Sequence, residues 1–305
     1  MNIVFAGIGK IARDQHLPQI TRRVGTRLVA SVSRQATIDG YPAFTNLTDA
    51  LNAHPEIEAI AVCTPPQVRF AIAEQALQSN LHVLLEKPPC ATLAEINALA
   101  DLANQSKATL FASWHSRFAS GVSPAKTWLS DKAITSARIV WKENIRKWHP
   151  GQDWILEAGG LGVFDPGINA LSIATQILPV RFSVQTSDLL FPRNRAAPIA
   201  AHLTFKTTAG APIDVEFDFR EEGDERWEIE IETTQGTLRL YTGGAALEIN
   251  GLDQPLLATN EYTGLYDRFI NLIEQQQSDV DITPILHVAD AFMIGRRHQL
   301  DAFHW

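Results

Sequence analysis

Chemistry is concentrated first in a six-residue turn. Gly7-Ile8-Gly9-Lys10-Ile11-Ala12 follows an apolar run and opens a helical stretch, with G-x-G-x-x-A spacing. The first glycine permits a tight turn, and the second lets backbone N–H groups approach a pyrophosphate. The small Ala12 allows close contact between helix and strand. A glycine pair alone is common in turns; a strand before it and a helix after it make the pattern specific. At the end of the second apolar run, Ser33-Arg34 stands where a turn preferring NAD usually carries Asp or Glu for the ribose 2′-OH. A hydroxyl and a guanidinium suit a 2′-phosphate instead. The expected cofactor is therefore NADP, with NAD tolerated. The competing reading of Arg34 is a solvated surface charge.

A second group follows the fourth apolar run, in His82-Val83-Leu84-Leu85-Glu86-Lys87-Pro88-Pro89. Ligands of open α/β sheets bind beyond the carboxyl ends of the strands, so Lys87 is at the right end to meet a nicotinamide and a substrate oxygen. A third group is Trp141-Lys142-Glu143-Asn144-Ile145-Arg146-Lys147-Trp148-His149, unusually polar and aromatic for a simple hairpin. Asp165-Pro166 reads, taken alone, as a helix N-cap followed by proline at the first helical position. Asp165 and Asn169, four residues apart, then share a helix face. The nine histidines are scattered without ligand spacing, so no metal is expected.

These residues need a frame. Short apolar runs at Asn2–Ala6, Arg27–Val32, Glu58–Cys63, His82–Leu85 and Thr109–Ala112 alternate with helical stretches. Strand-then-helix repeated five times predicts a doubly wound parallel sheet. Near residue 120 the pattern changes to period-2 alternation. Ile213, Val215, Phe217 and Phe219 alternate with polar residues, as do Trp227, Ile229 and Ile231. That predicts an open, mainly antiparallel sheet with one wet face. Further strands are expected at Ser136–Glu143, Phe182–Leu189, Ala200–Lys206 and Thr237–Tyr241, a helix at Val163–Leu178, and helical structure over Glu261–Gln275 and Pro284–Leu300. The fold class is thus α/β with two domains, 1–118 binding nucleotide and 119–305 binding substrate and mediating oligomer contacts. The C-terminal helical part is free to return to the first domain.

Length and charge agree. The chain has 305 residues, more than one core usually serves. Its net charge is -8 and it has no dense Lys/Arg run, which argues against nucleic acid and anionic membranes as partners. No apolar stretch is long enough to span a bilayer. Two cysteines, Cys63 and Cys90, make no disulfide framework, so a cytoplasmic location is expected.

Gly7–Ala12, Thr64-Pro65-Pro66, Glu86-Lys87-Pro88 and Gly159-Gly160-Leu161-Gly162-Val163-Phe164-Asp165-Pro166-Gly167-Ile168-Asn169 occur in one order. Together they resemble the Gfo/Idh/MocA oxidoreductase family over nearly the whole chain. Gly9–Pro18, Trp114-His115-Ser116-Arg117 and Trp148-His149-Pro150-Gly151-Gln152 resemble most its bacterial aldose 1-dehydrogenases, which act on L-arabinose and D-galactose. The resemblance implies NAD(P)-dependent oxidation of a pyranose at C1 to a lactone, and a homodimer or homotetramer. It implies that Gly7 to Ile11, Ser33, Arg34, Thr64, Pro65, Pro66, Glu86 and Lys87 hold the cofactor. It turns Asp165 from a helix cap into the base, with Lys87 as electrostatic aid and Asn169 as hydrogen-bond partner. It adds His115, Glu143, Trp148 and His149 as sugar-binding candidates.

Two departures stand out. Much of the family has His where this chain has Asn169, and Asn cannot exchange a proton near neutral pH. The proton must then go elsewhere, with Asp165 and Lys87 as the candidates; Asp165 is assigned as base, a nearby Lys87 favouring its ionised carboxylate. Gln67 also replaces a frequent His. The alternatives are another sugar or inositol dehydrogenase or reductase of the family, and a non-catalytic NADP(H) sensor. Retention of Lys87, Asp165 and Asn169 together speaks against the sensor.

Overall fold

A computed structural model describes all residues, 1–305. It divides into two compact units, Met1–Trp114 with Tyr262–Ile282, and His115–Glu261 with Thr283–Trp305.

The first unit is built on six strands, β1 (Asn2–Ala6), β2 (Arg27–Val32), β3 (Ala43–Phe44), β4 (Ala59–Val62), β5 (His82–Leu85) and β6 (Leu110–Ala112). Their order is β3-β2-β1-β4-β5-β6, parallel throughout. This is the expected doubly wound sheet. Residues such as Ile60, Val62, Val83 and Leu85 are fully buried because helices cover the strands. The Leu93–Gln105 helix begins in a capping box, Thr92 with Glu95, and buries Ile96, Leu99 and Ala103, the stripe visible in the sequence. Only the two-residue β3 has no counterpart in the apolar runs; it is too short to show a period.

The segment from Tyr262 returns to this unit and covers the edge strand. Asp279 donates its N–H to the Leu110 carbonyl at 2.9 Å and accepts from the Ala112 N–H at 2.9 Å. The Trp114 indole N–H donates to the Asp281 carbonyl at 2.9 Å. An otherwise unpaired sheet edge is thereby closed.

The second unit carries nine strands, β7 (Ile134–Lys142), β8 (Phe182–Pro192), β9 (Ala200–Thr207), β10 (Pro212–Asp218), β11 (Arg226–Thr233), β12 (Gly236–Tyr241), β13 (Ala246–Ile249), β14 (Leu252–Asp253) and β15 (Arg296–Leu300). Their order is β14-β13-β12-β11-β7-β10-β9-β8-β15. Pairing is antiparallel except for β7 with β10 and β8 with β15. The alternation reads true: Ile213, Val215 and Phe217 are buried while Asp214 is exposed, and Ile229 and Ile231 are buried while Glu230 and Glu232 are exposed. The Phe164–Ile177 helix packs on the buried face, with Gly167 so close to Phe217 that a Cβ there would lie 2.6 Å from the ring.

Two expectations need correction. The last segment is not helical to Leu300: the helix ends at Ile294, and Arg296–Leu300 forms the edge strand β15. Gly295 breaks the helix, and Arg-Arg-His-Gln offers no apolar helix face but suits an exposed sheet edge. The helix holding Asp165 starts two residues earlier than an Asp165 cap requires. Val163 is the N-cap and Phe164 the first helical residue, so Asp165 and Pro166 lie inside the first turn. Proline is tolerated there because first-turn N–H groups have no partner within the helix.

The returning helix is tied to the first sheet by buried polar groups. His16 is fully buried, with Nδ1 2.8 Å from the Tyr266 hydroxyl and Nε2 2.9 Å from Glu86 Oε1. Tyr262 donates its hydroxyl to the same Glu86 oxygen at 2.7 Å. Burial works against a proton on the His16 ring, but Cys63, Tyr266 and Glu86 around it outweigh that and hold its pKa well above the usual histidine value. Because the folded value is the higher one, the protonated ring contributes stability fully below the unfolded pKa of about 6.5, and that contribution fades as pH rises through the folded pKa. We predict that His16→Gln destabilises the protein most at or below pH 6. Its deficit in urea unfolding should shrink by about 1 kcal/mol or more toward alkaline pH. A deficit equal at pH 6 and pH 9 would contradict this reading of His16.

Candidate active site

In the first unit the chemistry-bearing residues lie just beyond the carboxyl ends of adjacent strands, where an open α/β sheet binds ligands. Gly7 follows β1, Ser33 follows β2, Thr64 lies two residues beyond β4, and Glu86 follows β5. Gly7 has φ +86°, and a Cβ on it would sit 2.7 Å from the Thr64 nitrogen, so only glycine fits. At Gly9, by contrast, no protein atom lies within 4 Å of where a Cβ would be. Packing does not demand glycine there, and the open space leaves room for close approach of a pyrophosphate. After Gly9 the chain makes a π-helical turn, Ala12–His16, that runs into the Leu17–Arg22 helix. Lys10 pairs with Asp14 on its outer side.

Thr64 Oγ1 is buried and has no hydrogen-bond partner within the protein. Such an atom is costly unless a ligand meets it. Ser33 Oγ accepts from the Gln35 and Ala36 N–H groups at 3.3 Å each, which leaves its O–H to donate. Arg34 is exposed. The glycine cradle, the Thr64 hydroxyl and the Ser33-Arg34 pair fit a dinucleotide.

Lys87 is half-buried and is followed by a cis bond to Pro88. Its N–H donates to Glu86 Oε2 at 3.0 Å. Arg69, itself buried, donates to the carbonyls of Glu86, Pro88 and Thr64, and so joins the Glu-Lys-Pro loop to the Thr-Pro-Pro loop. Neither Arg69 nor His16 emerged from the sequence as a site residue. A signal for His16 existed: it lies four residues after Ala12, on the helix face that must meet the sheet.

The second unit brings its own set together. β7 ends at Lys142, and Glu143 follows it with its N–H on the Asp218 carbonyl at 3.0 Å. Glu143 is buried, and its Oε2 accepts from the Trp227 indole N–H at 2.9 Å. His149 Nε2 lies 3.5 Å from Glu143 Oε1 and 3.9 Å from Asp165 Oδ2. Asp165 is only 3% exposed. Its place in the first helical turn puts a negative group at the positive end of the helix dipole. Asn169, one turn on, is half-buried on the same face. Glu143, His149 and Asp165, three of the expected residues, thus form one wall.

Trp148 is 38% exposed and stands edge-on to Trp227, with ring centroids 5.7 Å apart. Its indole N–H donates to Glu225 at 2.6 Å. Trp227 was legible in the sequence only as a strand residue; its indole contact with Glu143 depends on the pairing of β11 with β7. His115 opens a short 3₁₀ turn, and its Nδ1 lies 2.5 Å from Glu261, so that side of the ring is engaged. No three His, Cys, Asp or Glu side chains form a set able to hold a metal ion.

Comparison with known proteins agrees with this frame. Residues 1–113 match the model of the Gfo/Idh/MocA oxidoreductase family, NAD-binding Rossmann fold. Over 300 residues the chain is 43% identical to a galactose 1-dehydrogenase of Pseudomonas fluorescens, covering 98% of this chain and 97% of that protein. The crystal structure of a D-galactose-1-dehydrogenase from Rhizobium etli superposes with a TM-score of 0.94 at 49% identity, covering 99% of this chain and 97% of that one. A point mutant of KijD10, a 3-ketoreductase from Actinomadura kijaniata, in complex with TDP-benzene and NADP superposes with a TM-score of 0.83 over 98% of this chain and 99% of its own. At 17% identity that likeness concerns the fold alone. A glycine cradle beside an unsatisfied threonine, a Glu-Lys-Pro loop and near full-length identity lead to one conclusion: this chain belongs to the Gfo/Idh/MocA family of oxidoreductases.

Proposed function

We propose that the protein is an aldose 1-dehydrogenase that oxidises D-galactose, and L-arabinose with it, at C1 to the sugar lactone, with NADP+ preferred over NAD+. The observation that carries this reading is the wall of Asp165, His149 and Glu143 in a chain so similar to galactose 1-dehydrogenases along its whole length.

The reaction removes a proton from the C1 hydroxyl and a hydride from C1, leaving a lactone carbonyl. When bound, a nicotinamide cofactor would supply the hydride acceptor for this step. Asp165 takes the hydroxyl proton as general base. Lys87 serves as the electrostatic aid, an ammonium donor able to stabilise negative charge on an oxygen as it forms. Asn169 holds that hydroxyl by its amide, doing the orienting without the proton exchange. Glu143 accepts from neighbouring sugar hydroxyls with a carboxylate already fixed by Trp227. His149 and His115 supply further polar contacts. Trp148 covers the apolar C–H face of the ring, and Trp227 beside it widens that surface.

Gly7, Ile8, Gly9, Lys10 and Ile11 cradle the pyrophosphate, while Thr64, Pro65, Pro66 and Glu86 line the nicotinamide side. Ser33 and Arg34 meet the 2′-phosphate. Residues 1–118 serve the nucleotide and 119–305 the sugar, with Tyr262–Ile282 returning to the nucleotide side. The exposed polar face of the nine-stranded sheet supports a homodimer or homotetramer, and the two free cysteines support a reducing cytoplasm.

D-Galactose and L-arabinose differ by the hydroxymethyl group at C5, a steric difference worth only about 1–3 kcal/mol in a pocket. Initial rates should therefore show NADPH formation with D-galactose, L-arabinose and D-fucose, with a lactone trapped by hydroxylamine. Activity with myo-inositol should be about a hundredfold lower or less. Turnover of myo-inositol with D-galactose inert would replace this reading by the inositol one.

The nucleotide preference has its own test. Arg34→Leu should lower kcat/KM for NADP+ by about tenfold or more, the value of a charge-assisted contact. Its effect on NAD+ should stay within about twofold. Equal losses for the two nucleotides would remove Arg34 from the 2′-phosphate site.

A further inference from the structure

Glu86 precedes Lys87, is buried, and uses both carboxylate oxygens. Oε1 accepts from His16 Nε2 at 2.9 Å and from the Tyr262 hydroxyl at 2.7 Å, and Oε2 accepts from the Lys87 N–H at 3.0 Å. The His16 ring is held from its other side by Tyr266 at 2.8 Å. Three separate stretches of chain thus converge on one side chain: the π-helical turn after the glycine cradle, the end of β5, and the helix Glu261–Glu274.

A merely buried charge would need one counterion. Here the carboxylate also fixes the peptide N–H of the residue that carries the ammonium group. Arg69 fixes the same loop from its carbonyl side, through Glu86 and Pro88. With both its N–H and its flanking carbonyls tied down, the Lys87 backbone has little freedom, so the origin of its long side chain is set. A lysine is a flexible point charge, and its value to a transition state depends on that origin.

We propose that Glu86 is a positioning residue for Lys87, and that His16 and Tyr262 act through it. Lys87 is placed before substrate arrives, and the hydrogen bonds that place it come partly from the distant helix that returns to this unit. This rests on the role given to Lys87 above.

The test is a pair of substitutions compared in two backgrounds, read as the single-turnover rate of nicotinamide reduction with D-galactose and as the Kd for NADP+. Glu86→Gln should slow hydride transfer about tenfold or more, a loss larger than any change in its Kd for NADP+, the signature of an effect on a transition-state contact. In a Lys87→Ala background, Glu86→Gln should add less than about twofold, because a residue that acts through another loses its effect when that other is gone. The proposal is overturned if Glu86→Gln retains the parent rate. It is equally overturned if its loss is the same size with and without Lys87, since that is a structural role. Lys87→Ala alone separates the two ideas: parent turnover in that variant rejects the role of Lys87 itself. If Glu86→Gln does not fold, Tyr262→Phe, which removes one donor to the same carboxylate, takes its place in the same comparison. Its expected loss is about threefold to tenfold, again only where Lys87 is present.

Discussion

A carboxylate taken out of water has to be met by donors or it gives up its charge. Much of the site follows from meeting that requirement at Glu86. His16 and Tyr262 answer one oxygen and the Lys87 backbone answers the other. The first donor comes from the turn that begins with Gly7, and the second from a helix whose Tyr262 lies 176 positions after Glu86. One buried acid therefore ties the returning Tyr262–Ile282 segment and the Glu-Lys-Pro loop to the same point. The second unit applies the same rule to Glu143, held by Trp227, and to Asp165, held at a helix N-terminus beside His149.

The two units differ in the kind of frame each provides. A parallel sheet presents all its strand ends on one side, so several turns gather where a long ligand can cross them. The mixed sheet instead offers a broad floor, on which one helix and one strand end set carboxylates at fixed separations. Close packing limits movement there: two residues from Asp165, Gly167 admits Phe217 so near the helix that a Cβ would lie 2.6 Å from its ring. Such stiffness is what keeps a base and its hydroxyl within a productive geometry.

Much of this was legible in the sequence. The strand-helix alternation, the glycine cradle and the period-2 strands each follow a local rule, and local rules survive folding. Glu143, His149 and Asp165 were named before their meeting was visible, on the strength of a family resemblance. What sequence alone did not yield has a common cause. His16, Tyr262 and Trp227 matter through partners 70, 176 and 84 positions away, and pairing at that range leaves no periodic trace. The true start of the Asp165 helix was missed for a related reason. Asp-Pro is a strong capping signal, but Val163 already has helical angles because the chain before it is fixed by the Gly162 N–H on Ile155 and the Val163 N–H on Pro198. β15 was missed because an edge strand of charged residues has no hydrophobic pattern to read.

In the proposed reaction Asp165 removes the proton from the hydroxyl whose carbon gives up the hydride. The most direct measurement is the single-turnover rate of NADP+ reduction by D-galactose in Asp165→Asn, which keeps size and shape but cannot act as a base. A loss of about 10²- to 10⁴-fold, the usual worth of a positioned general base, with unchanged NADP+ binding, is the predicted result. Hydride transfer at the parent rate in that variant would contradict the account.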